Sequence, residues 1–187
     1  MSFNIDEWLN LAVEKLQSAF GKNLLFVGLQ GSYNRGEARP NSDIDLVVIL
    51  NNLTFADLKL YRSIIESMPQ KDKACGFISG KKEIQKWSKT DLFQFFYDTK
   101  PLLGELKNII KPPDIDSIKT SIKISSENLY HAAIHSFIHS DNLRQNLPNL
   151  YKMIFFILQA KYFVETNNYI PTKNQLTELL INEDREI

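Results

Sequence analysis

Two aspartates stand two residues apart, Asp43 and Asp45, downstream of a Gly31-Ser32 pair and a polar loop that holds Arg35. Side chains alternate along an extended chain, so Asp43 and Asp45 share a face and Ile44 turns to the core. Two carboxylates held that close raise one another's pKa, and a divalent cation keeps both ionised. Hard oxygen donors suit Mg²⁺, which keeps waters and completes its shell on substrate phosphates. Gly31 lets a backbone approach closely, and Ser32 offers a hydroxyl and an amide to an anion. Arg35 carries a forked donor suited to phosphate. The stretch reads as a metal–phosphate site with Asp43 and Asp45 as the metal ligands.

Two apolar runs must position these groups, residues 24–27 before the loop and 46–50 after it. Short runs rich in Val, Ile and Leu, bounded by Gly, Pro, Asn and Ser, predict buried strands. The order is therefore strand, small-residue turn, polar loop, strand. Gly31-Ser32, Arg35-Gly36 and Ser42-Asp43-Ile44-Asp45 between two such strands resemble the signature of the nucleotidyltransferase superfamily with a polymerase-beta-like core. The version here is similar to that of the minimal and the aminoglycoside nucleotidyltransferases, and the likeness is specific over residues 24–50. It implies that Gly31, Ser32, Arg35 and Ser42 hold an NTP, with ATP the expected one. It also implies that Asp43 and Asp45 act with Mg²⁺ in catalysis.

Many members of that superfamily place a third carboxylate on the strand after Asp-x-Asp. Here that strand is predicted over 73–79, centred on Cys75-Gly76, and it contains no acid. Asp72, Glu83, Asp91 and Asp98 are the candidate replacements. Asp91 is preferred because it would begin a fourth strand, Leu92 to Tyr97, and a strand residue has a fixed direction. A second group of candidates lies on a helix predicted from about 116 to 139. Glu127, His131 and His135, at i, i+4 and i+8, share a face that His139 extends. Histidine titrates near neutrality and suits a general base. A base from this region would fit the aminoglycoside enzymes, in which a helical-domain residue takes the acceptor proton. The plainer alternative is a polar helix face. No cysteine cluster accompanies the histidines, which argues against zinc. Cys75, the one cysteine, reads as a small buried hydrophobe.

With 43% hydrophobic and 24% charged residues, the 187-residue chain can build a core without staples. One cysteine excludes an internal disulfide. No signal peptide is evident, and the apolar run 153–158 is too short to span a bilayer, so a reducing cytoplasm and no membrane partner are expected. With 22 basic and 22 acidic residues the net charge is zero. This argues against nucleic acid as the main partner, since duplex binding neutralises many phosphates.

Helices are predicted over 4–20, capped by Asn4 and ended by Gly21, and from Thr54 to Met68. A short one is predicted over 101–110. Lys111-Pro112-Pro113 is a stiff break, after which the pattern turns to long helices, 116–139 and 150–166, and a last one capped by Thr172. The expected architecture is a mixed α/β (α+β) nucleotidyltransferase core, 1–112, followed by a small all-α domain, 113–187, that binds or closes over the acceptor substrate.

The expected activity is Mg²⁺-dependent transfer of a nucleoside monophosphate from an NTP to a hydroxyl of a small-molecule acceptor, an aminoglycoside-like compound among the candidates. A homodimer is compatible with it. Two alternatives stay open: a minimal nucleotidyltransferase antitoxin acting on a protein or RNA partner, and a non-catalytic nucleotide-binding module.

Overall fold

Asn4 opens the first helix, its side-chain oxygen accepting the amides of Asp6 and Glu7. This satisfies donors that a helix start leaves unpaired. The structure, a computed structural model, describes residues 3–186. In chain order the elements are α1 (Ile5–Phe20), β1 (Leu24–Gln30), α2 (Gly31–Asn34), β2 (Ile44–Leu50), α3 (Phe55–Glu66), β3 (Ala74–Gly80), α4 (Lys81–Ile84) and α5 (Leu92–Tyr97). There follow β4 (Lys100–Leu103), α6 (Ile115–His139), α7 (Leu143–Thr166), α8 (Lys173–Leu179) and α9 (Glu183–Glu186). They fall into two compact units. Among the described residues, one comprises 3–87 together with 95–112, the other 88–94 together with 113–186.

In the first unit the strands form one sheet in the order β3-β2-β1-β4. β1 pairs antiparallel with both β2 and β4, and β3 runs parallel to β2 across the α3 crossover. The C-terminal end of β1 therefore lies at the same end of the sheet as the N-terminal ends of β2, β3 and β4. Along β2, Ile44, Leu46, Val48 and Leu50 share a buried cluster with Trp8, Leu16, Ile64 and Met68, so α1 and α3 cover that face. The Trp8 indole N–H donates to the Pro69 carbonyl at 2.8 Å. Asp45, Val47 and Ile49 alternate to the opposite face. There Phe77, Trp87 and Phe95 meet edge-on with ring centroids 4.9–5.7 Å apart.

Thr54 caps α3 in a reciprocal box with Asp57. On α3, burial pushes the Tyr61 hydroxyl up to about 12, with a smaller coulombic contribution from Cys75 in the same direction. A raised pKa means that the folded chain keeps this proton after the unfolded chain has lost it. Tyr61 thus contributes stability below pH 10 that is lost between about pH 10 and 12, roughly 2–3 kcal/mol. Tyr61→Phe is expected to flatten that part of the stability curve. Identical alkaline midpoints for variant and parent in denaturant titrations would refute it.

Two expectations fail here. Residues 92–97 form a helix, not a strand: Leu92, Phe93 and Phe95 are buried, and this packing overrides a weak aromatic β-preference. The segment predicted as a helix after Pro101 instead supplies β4. Proline is tolerated there because β4 ends the sheet order and need not donate on its outer side.

In the second unit, Asp114 caps α6 by accepting the Ser117 amide and hydroxyl at 2.9 and 2.7 Å. Its other oxygen takes the Lys89 ammonium at 2.8 Å. Lys89 first, then Ser117, hold this carboxyl well below the usual range. α7 starts seven residues earlier than expected and includes Pro148, close enough to its N-terminus that one backbone bond is lost without ending the helix. Gln94 donates to the Gln159 side-chain oxygen at 2.7 Å, and Gln159 donates to the Ile170 carbonyl at 2.6 Å. Phe155, Leu158, Leu176 and Leu180 make a small core between α7 and α8. No helix among the described residues is long and apolar enough to cross a membrane.

Candidate functional site

Strand pairing sets Asp45 opposite Gln30, the last residue of β1. The chain turns immediately afterwards at Gly31, whose φ is +74°. The next residues form the single helical turn α2, closed by the Arg35 amide on the Gly31 carbonyl at 3.1 Å. A Cβ at Gly31 would lie 1.9 Å from Asp45 Oδ2. The carboxylate thus fills the space that a side chain would take, and glycine is needed both for its torsion and for its missing methyl group. Ser32 follows at the start of this turn, half-buried.

Asp43 lies one residue before β2 and is exposed. Ser42 closes the preceding turn: its hydroxyl accepts the Arg39 amide at 2.8 Å, and its own amide donates to the Arg39 carbonyl at 2.9 Å. The Lys73 ammonium donates to the Pro40 carbonyl at 2.8 Å and ties this loop to the entrance of β3. Among the described residues no three Asp, Glu, His or Cys side chains are grouped to hold a metal ion. Asp43 and Asp45 still fit a hard cation, as two oxygen donors that rely on substrate phosphates and water for the rest of the shell.

Arg35 does not stand open as a phosphate fork. Its Nη1 donates to Asp98 Oδ2 at 2.5 Å and its Nε to Glu37 Oε2 at 3.1 Å, with the side chain largely buried. Asp98 Oδ2 also accepts the Gly31 amide at 3.2 Å. The Asp98 carbonyl accepts the Asn34 side-chain amide at 2.8 Å. Burial pushes the Asp98 carboxyl up, against the opposing pull of Arg35 and the Gly31 amide.

Of the four replacement acids, Asp98 alone is bonded to the Gly-Ser turn in this way. Asp72, exposed, precedes β3 at the Asp45 end of the sheet. Glu83 follows β3 at the opposite end, its carboxylate against Gly80. Asp91 begins no strand: it ends a 3₁₀ turn in the second unit and is exposed. The strand geometry that favoured it is absent. Cys75 stands beside Asp45 in the β2–β3 register and is exposed, not buried, because β3 ends the sheet.

Glu127, His131, His135 and His139 lie along α6 and are all exposed. Successive imidazoles are 6.1 and 4.8 Å apart between centroids. Glu127 sits 4.0 Å from the Lys123 ammonium.

The family described as the nucleotidyltransferase domain matches residues 9–126, well over half of the chain. The chain belongs to the nucleotidyltransferase domain family. No curated protein matches its sequence significantly. Among solved structures, this nucleotidyltransferase is similar to spectinomycin adenyltransferase AAD(9) from Enterococcus faecialis, crystallised with ATP and spectinomycin. The two are 19% identical, the match covers 98% of this chain and 86% of that one, and the TM-score is 0.59. A toxin–antitoxin complex with AMP-PNP (22% identity, 71% and 95% coverage, TM-score 0.39) and the MntA–HepT toxin–antitoxin (19%, 73% and 97%, 0.37) also match. The fold is that of a nucleotidyltransferase core with a helical C-terminal region, and the chain is an enzyme of this class.

Proposed function

We propose that this nucleotidyltransferase moves a nucleoside monophosphate from an NTP, with ATP the preferred donor, to a hydroxyl of a small molecule. The observation that carries the proposal is the seat of Asp45 against Gly31, with Asp43 two residues before it. That arrangement sets the Asp45 carboxylate against a Gly-Ser turn, and the Ser32 amide and hydroxyl there suit phosphate. Asp43 and Asp45 would hold Mg²⁺, which when bound neutralises phosphate charge and aligns the reacting groups.

In the transfer the acceptor oxygen bonds to the α-phosphorus, the bond to the pyrophosphate oxygen breaks, and the hydroxyl proton passes to a base. Ser32 binds and orients phosphate. Glu127 and His131, exposed on one face of α6, are the proposed groups for the proton, and the helical residues 113–187 are the proposed acceptor-side domain. A small-molecule acceptor is favoured because the likeness to AAD(9), itself crystallised with a small molecule, extends over nearly the whole chain.

The test is pyrophosphate release from MgATP across a panel of hydroxylated and aminated antibiotics. Turnover that EDTA abolishes and that falls in His131→Asn is expected. MgATP binding without turnover on any acceptor, small molecule or protein, would favour a non-catalytic module. AMP transfer to a co-purifying protein alone would favour the antitoxin-like reading.

A further inference from the structure

We propose that Asp98 is a positioning residue for the nucleotide's phosphates, locking the Gly31–Arg35 turn to the start of β4. This role rests on the nucleotidyl-transfer reading above and adds a group that the Asp-x-Asp motif does not contain. Three residues of one short turn converge on Asp98. The Gly31 amide and the Arg35 guanidinium share Oδ2, and the Asn34 side chain takes the main-chain oxygen. The residues beside Asp98 extend the anchor backwards. The Gln30 side-chain amide donates to the Phe95 carbonyl at 3.1 Å and to the Thr99 hydroxyl at 2.6 Å.

The topology makes this attachment available. β4 runs antiparallel to β1 with Lys100 opposite Leu29, so the two residues before β4 arrive beside the end of β1. Residues 30–35 are thereby tied along most of their length to residues 95–99.

Charge explains why an acid is used. Arg35 is largely buried, and a buried cation needs a partner. Asp98 and Glu37 supply that partner on two sides of the guanidinium. The carboxylate also takes the Gly31 amide and so fixes the direction of the peptide that leads into Ser32. Asp98 Oδ1 is buried and has no hydrogen-bond donor among the described residues. Leaving a buried acceptor unpaired is unfavourable. Tolerance of that imbalance fits a residue kept for what Oδ2 holds in place. Asp98 need not touch substrate: it acts through Gly31, which is also the seat of Asp45.

A group that holds a phosphate-binding turn affects ground state and transition state alike, so its loss falls mainly on nucleotide affinity. In Asp98→Ala the Kd for MgATP, measured by calorimetry on the full chain, is expected to rise about 10- to 100-fold, as for a misplaced binding element. The kcat should fall by less than the affinity does. Arg35→Ala should resemble it, and the double variant should be no worse than the weaker-binding single within about threefold, because both act through one turn.

Asn34→Ala, which removes one peripheral bond, should weaken MgATP about three- to tenfold and serves if Asp98→Ala does not fold. A folded Asp98→Ala with parental MgATP affinity, additive losses in the double variant, or an Asn34→Ala indistinguishable from the parent would each overturn the role. If the parent protein itself does not bind MgATP, the nucleotide reading falls, whatever the variants do.

Discussion

Asp45→Asn is expected to abolish nucleotidyl transfer, lowering kcat/KM by about a thousandfold or more, with the chain still folded. The substitution keeps the shape of the side chain, so the contact with the hollow at Gly31 survives. It removes the negative charge that a divalent cation requires. Asp45 is half-buried at the start of β2, and replacing a carboxylate by its isosteric amide there should shift stability by no more than about 1 kcal/mol. The two readouts separate chemistry from folding: pyrophosphate release should vanish while the thermal midpoint stays within a few degrees. Asp43, exposed and outside the strand, should tolerate the same change structurally even better. Full turnover in Asp45→Asn would remove the metal assignment and with it the mechanism.

The approach of Asp45 to the Gly31 turn is readable in the sequence because its determinants are local. Gly31, the loop and Asp45 lie within fifteen residues, and two apolar runs on either side can only pair if the loop turns back. Asn4, Gly21, Thr54 and Thr172 announce helix ends by their own side chains or torsions, and those ends fall where expected.

The misreadings arise where the outcome depends on partners distant in sequence. Nothing within residues 92–97 distinguishes a buried aromatic helix from an aromatic strand. The choice is made by what Phe95 meets, namely Phe77 and Trp87. Pro101 looks like a helix start until β4 is known to end the sheet, where a missing N–H is harmless. Cys75 looks buried until β3 is known to end it on the other side. Asp98 is the instructive case. By sequence position it is one of four candidate acids and ranks behind Asp91. Only the antiparallel pairing of β4 with β1 brings it to the Gly-Ser turn, at the same end of the sheet as Asp45, and reading 101–110 as a helix hides that pairing.

Adding one methyl group at Gly31 should therefore disturb more than it would at a surface turn. Gly31→Ala places an L-residue at φ +74°, which costs about 1 kcal/mol by itself. The new Cβ also meets Asp45 Oδ2 at 1.9 Å, far inside contact distance, so the carboxylate must swing away or the turn must open. Either movement is on the order of 1 Å, and a displacement of that size at a reacting centre lowers rates by about a hundredfold. The expected result is a stability loss of about 1–3 kcal/mol together with a fall of about 100-fold in kcat/KM for NTP.

Gly36 provides the control. Its φ is +70°, yet a Cβ there would meet nothing within 4 Å. Gly36→Ala should carry the torsional cost without the collision, losing about 1 kcal/mol of stability while keeping activity within a few-fold of the parent. If Gly31→Ala and Gly36→Ala behave alike in the pyrophosphate assay, the seat of Asp45 against Gly31 has no catalytic importance. If only Gly31→Ala loses turnover, the close approach of glycine and carboxylate, rather than the shape of the loop, is what prepares the chain for its substrate.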